Sequence, residues 1–147
     1  MNDLEHPSEE LWKARRHWFE QLSESMAGEA SYVVSEKACA LIDEVHEAFC
    51  AGKWVSVLVL SMATIDAQLL ETELPGFKGY TRKVLDAALA NPELQRLRER
   101  INSIIHISHE APAITGDQQW ANRIQLEQEA RNAVGLMFQA VYISPGV

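Results

Sequence analysis

Two arginines, an asparagine and two histidines stand together in the stretch Leu97-Arg98-Glu99-Arg100-Ile101-Asn102-Ser103-Ile104-Ile105-His106-Ile107-Ser108-His109. As a helix this stretch makes about three turns. Arg98, Asn102 and His106 then recur at four-residue spacing as a slanting polar row, and His109 continues it one turn later. Arg100 points toward the flank, while Ile101, Ile104 and Ile105 hold the other side in a core. An arginine fork grips phosphate oxygens. Imidazole trades a proton near neutral pH, and Asn102 can orient either group. A base, an acid and a cation on the developing charge are what metal-independent phosphodiester cleavage requires.

The same residues admit a purely structural use. Arg98, Arg100 and Asn102 can serve caps and ion pairs with Glu93, Glu99 or Asp66, leaving His106 as a satisfied core histidine. Exposure separates the two: catalysis needs Arg100 and His106 at one open cleft. A metal site from His106, His109 and Glu110, with His46 as a further candidate, ranks well below both, because no second Glu-x-x-His cluster supplies ligands from another helix. Serine or cysteine nucleophiles have no triad-like context. Gly76 and Gly79 form a bare turn rather than a phosphate loop, so no cofactor is expected.

The elements that must position these groups read as helices. Ser8 caps a helix with Glu9 and Glu10 in its first turn and Gly28 at its stop; Leu11, Trp18, Phe19, Leu22 and Met26 form its apolar stripe. A second helix starts between Ser31 and Ser35 and ends at Gly52, with Ala38, Leu41, Ile42, Val45 and Phe49 inward and His46 on the surface. A third runs from about Lys53 to Leu74 and is apolar nearly all round, which marks the centre of a bundle. Asp66 interrupts it, and is read first as a partner for an arginine or a cap, second as a site residue. Pro75-Gly76 breaks the chain before a short helix at 82–90. Asn91-Pro92-Glu93 restarts it into the polar stretch, which Pro112 terminates. Asp117 caps a last helix through Trp120, Ile124, Leu126, Ala130, Val134, Met137 and Val141 to about Ile143. The expectation is an all-α, single-domain antiparallel bundle of five to six helices over residues 1–147.

With 147 residues and 47% hydrophobic content the chain supports a proper core. Its net charge of −8 opposes any broad grip on nucleic acid, so RNA would need a local basic patch. Cys39 and Cys50, eleven apart on one helix, would lie about 16 Å apart, beyond disulfide reach. Free, mostly buried thiols suit a reducing cytoplasm. No leader is apparent at the N-terminus, and the apolar run Trp54 to Ala63 is too short to span a bilayer. Four tryptophans and an apolar supply rich for a small bundle leave surface spare for a partner, and a homodimer is the expectation under either leading use of the polar stretch.

In three places the chain resembles a HEPN domain. The Ala48 to Trp54 junction into Val57–Asp66 is similar to that family's helix pair; Leu97 to His106 resembles its signature, an Arg followed after four to six residues by His; and Leu126 to Val134 resembles its closing helix. The likeness covers about 35–141, with 1–28 as an additional N-terminal helix. Many HEPN proteins are metal-independent ribonucleases whose two signatures meet across a dimer cleft, and some serve toxin–antitoxin or defence systems. The resemblance implies Arg100 as the phosphate clamp and His106 as the proton-transfer group, with Asn102 at the usual Asn position. Arg98 is the substitute clamp if the register shifts by a turn. Other HEPN domains are inactive and bind a second copy or a cognate protein. Ile101 departs from the pattern, standing where the family has a polar residue after the Arg and, commonly, the Arg itself before the Asn; Ser108 stands where toxin members often carry Tyr.

Overall fold

Side-chain caps set where the helices begin. Ser8 Oγ accepts from the Leu11 amide at 3.1 Å and opens α1, Glu9–Ala27. Ser35 Oγ accepts from the Ala38 amide at 2.9 Å and opens α2, Glu36–Cys50. Asn91 Oδ1 accepts from the Glu93 amide at 2.9 Å and opens α4, Pro92–Ile105. Each cap satisfies an amide that the first turn leaves without an intrahelical partner. Between α2 and α4 lies α3, Trp54–Gln68, which runs on as a π-helical turn, Leu69–Glu73. Thr115 and Gln118 exchange side-chain and backbone bonds to open α5, Gly116–Ala121, and α6 follows as Arg123–Val141. The computed structural model describes residues 4–32, 34–73, 91–106 and 114–142, and every regular element there is helical.

The apolar circumference of α3 makes it the centre of the bundle. It packs on α2 and α6 along its length and on α4 at one flank. Trp54, Val57, Leu58, Met62, Ile65 and Leu69 are buried against Val45, Phe49, Leu97, Ile101 and the α6 residues Ala130, Val134, Met137 and Phe138. By length and hydropathy Trp54–Glu71 could also cross a membrane, and its burial inside the bundle accounts for that apolarity. Two polar side chains on α3 are paired within the bundle. Thr64 Oγ1 donates back to Leu60 O at 2.8 Å, and Gln68 Oε1 accepts from the Ser35 amide at 3.0 Å, tying the end of α3 to the start of α2. α1 closes over α2 and α6 through aromatic contacts: Trp18 stacks on Phe49 at 4.9 Å and Phe19 meets Phe138 edge-on at 5.2 Å.

Several expectations need correction. The last helix is capped by Thr115 rather than Asp117, and it is broken at Asn122 (φ −108°, ψ 28°) into α5 and α6. Ile124 is 80% exposed, because Arg123 takes the inward position at the start of α6 and the next residue is turned about 100° away. Leu11, Ile105 and Trp120 are exposed too, the first two at the open ends of their helices. His46 is half-buried and packs its ring on Phe19 at 4.8 Å instead of standing in solvent. Of the two thiols only Cys50 is buried; Cys39 is exposed. The short helix expected at 82–90 and the stop at Pro112 lie outside the described residues.

Candidate functional site

The α4 helix buries Leu94, Leu97 and Ile101, and this fixes the directions of its polar residues. Arg98 and Arg100 are two residues apart, so they leave the helix on nearly opposite sides. Arg100 is the one that faces α6. Its Nε donates to Glu129 Oε1 at 2.9 Å and its Nη2 to Glu129 Oε2 at 3.2 Å. Both side chains are about a third exposed. This fork-to-fork pair separates two clefts. One, of about 260 Å³, lies between α3, α4 and α6 and is bordered by Leu58, Arg96 and Asn132. The other, of about 340 Å³, lies toward α5 and is bordered by Ile114, Gln118 and Asn122.

The helix that carries the expected polar row closes at the last described member of that row. α4 stops at Ile105, and His106 has extended backbone (φ −94°, ψ 144°) while its amide still donates to Asn102 O at 2.9 Å. The chain therefore leaves the helical path after His106, whose side chain is exposed at the helix end rather than buried in the core. Asn102 and Arg98 are half-buried, as is Asp66 on α3. His109 and Glu110 lie outside the described residues. Among the described residues no three His, Cys, Asp or Glu side chains group closely enough to hold a metal ion. The carboxylate that engages Arg100 was expected at Glu93, Glu99 or Asp66, and it comes from Glu129 on the closing helix.

A second cluster was not foreseen. The carbonyls at the end of α2 need donors, and the last turn of α2 has no basic residue. Two arginines from elsewhere reach them: Arg15 Nη1 donates to Cys50 O at 3.2 Å, and Arg123 Nη2 donates to Gly52 O at 2.6 Å. Both guanidiniums lie over the Trp54 ring, at 4.7 Å and 5.6 Å from its centroid. Glu5, ahead of α1, closes the group, with Oε1 accepting from Arg15 Nη2 at 2.6 Å and Oε2 from Arg123 Nη2 at 2.5 Å. Burial pushes the Glu5 carboxyl up, and the hydrogen bonds and charges of Arg15 and Arg123 outweigh this, so its pKa falls below the ordinary value. Gly52 has φ 73°, and a side chain there would collide with the Glu5 carboxylate. The sequence did hold a signal: Arg15 stands four before Phe19, on the inward face of α1.

Beside this cluster Arg131 lies over Trp18 and Phe49, at 4.5 Å and 5.1 Å, and its Nε donates to Glu127 at 3.0 Å. Compared with known proteins, the chain matches no family model, no curated protein and no solved structure.

Proposed function

We propose that this chain is a non-catalytic, HEPN-like helical interaction module that works as a homodimer. The observation that carries this reading is the Arg100–Glu129 pair. The guanidinium that would clamp a phosphate already has one of its two forks, Nε with Nη2, on a carboxylate, and that neighbouring negative charge opposes a phosphate at the same arginine. Ile101 adds to it: the residue in the slot beside Asn102 is apolar and buried in the core. A module of this kind needs surface for a second copy, and Trp120 and Ile124 at the α5–α6 corner are large apolar side chains exposed there.

The second reading is a metal-independent endoribonuclease, and one observation favours it. His106 is exposed at the end of α4, where a proton-transfer group can meet substrate. The deciding experiment incubates mixed-sequence RNA in EDTA with wild type and His106→Ala, with oligomeric state read by light scattering. The interaction module requires intact dimers and no cleavage by either protein. Cleavage by wild type alone, leaving 2′,3′-cyclic phosphate ends, overturns it in favour of the ribonuclease. A monomer at micromolar concentration removes the homodimer from both readings.

A further inference from the structure

We infer that Arg15 and Arg123, lying over Trp54, form a site for a phosphate dianion, free or as a phosphomonoester, and that the chain's own Glu5 carboxylate fills this site as a tethered ligand. The inference is independent of the function proposed above.

Glu5 belongs to no helix. It is brought in by the short segment before α1, and its two oxygens are divided between two guanidiniums, one each. That is how a bound anion is held, and here the anion is delivered on a tether. The receptor is built without it. Arg15 is only 5% exposed, and both arginines are fixed by the Trp54 ring and by carbonyls at the end of α2. Removing Glu5 would leave two oriented, desolvated cations in place.

A carboxylate underfills this receptor. Arg15 Nε and Arg123 Nη1 are buried and have no hydrogen-bond acceptor, while both Glu5 oxygens are already engaged. Charge is also unmatched. Glu127 comes within 3.9 Å of Arg15 but is bonded to Arg131, so three arginines face two carboxylates. A phosphate dianion offers a second charge and further oxygens for those idle donors. Space exists for it: a cavity of about 310 Å³ adjoins Glu5, bordered by Leu4, Trp54, Arg123 and Ile124.

Because Glu5 is tethered, its effective concentration is in the millimolar range or above, and free phosphate competes poorly in the wild-type chain. The test is therefore Glu5→Ala titrated with inorganic phosphate, and in a second arm with phenyl phosphate, against sodium chloride at equal ionic strength. Tryptophan fluorescence and thermal unfolding report binding. The expected result is saturable binding at least about tenfold tighter than in wild type, lost again in the double variant Glu5→Ala, Arg123→Gln. Binding of inorganic phosphate but not phenyl phosphate identifies a free-ion site; binding of both identifies a monoester site. Equal, non-saturating responses in wild type and Glu5→Ala overturn the proposal, as does retention of binding in the double variant. Should Glu5→Ala lose its helicity, the wild-type protein decides by NMR. There, phosphate must compete with the tether, so acid that protonates Glu5 is applied as well: saturable shifts of the Arg15 and Arg123 side-chain resonances with phosphate once Glu5 is protonated support the site, and their constancy under phosphate in that state refutes it.

Discussion

Arg100 on α4 and Glu129 on α6 meet through two parallel hydrogen bonds, one from each of two guanidinium nitrogens to each carboxylate oxygen. The pair staples the polar stretch of the sequence to the closing helix and divides the space beside it into two clefts. Because both groups are partly solvated, the staple is worth about 1 kcal/mol. A double-mutant cycle with Arg100→Ala and Glu129→Ala, followed by urea unfolding, should return a coupling of that size. The coupling should shrink in high salt.

Acid should weaken the fold through Glu5. Its folded pKa is depressed, so the unfolded chain binds more protons and stability rises with pH. The contribution is present above the ordinary carboxyl value of 4.5 and is lost as pH falls through the lower, folded value. Glu5→Gln should remove about 2 kcal/mol at neutral pH, the cost of leaving the buried Arg15 and half-buried Arg123 guanidiniums short of their anion. Its deficit should vanish in acid, where wild type is protonated as well. Chemical denaturation across that pH range checks both statements.

Gly52→Ala should destabilise by more than a left-handed residue costs by itself. The φ of 73° costs about 1–2 kcal/mol for a residue with a Cβ. The new methyl group would in addition expel the Glu5 carboxylate and reach within 3.0 Å of Arg15 Nη1. In the Glu5→Ala background most of that second penalty should disappear, so the two substitutions are expected to be strongly non-additive by thermal unfolding.

Ile124→Lys should leave the stability of the folded chain within about 0.5 kcal/mol, since the side chain is 80% exposed. If the α5–α6 corner seats a second copy, the same substitution should shift light scattering toward the monomer. Unchanged self-association would place the interface elsewhere.

Local chemistry made much of the fold legible. Ser8 and Asn91 cap as their positions announce, α2 opens at the Ser35 end of its expected interval, and the nearly all-round apolarity of α3 marks the central helix. What was hidden depends on distant pairing. Helical spacing alone gives Arg100 a direction but cannot select Glu129, which is 29 residues away. His106 reads as helical because Ile101, Ile104 and Ile105 keep helical apolar spacing up to it, yet the α-helix closes one residue earlier. Arg15 sat in plain sight on the inward face of α1. A buried arginine there makes sense only once Cys50 O, Trp54 and Glu5 are known to surround it.

The two thiols of α2 give the unaltered protein its own clock. Cys39 is open to reagent, while Cys50 is fully covered and burial pushes its thiol pKa up, so its reactive thiolate is scarce. An alkylating reagent should therefore modify one site at once and the second only when the packing over the end of α2 opens. Since the Cys50 carbonyl is the one that Arg15 holds, the lag between first and second mass increments times the release of that joint in the native sequence, without a label or a substitution.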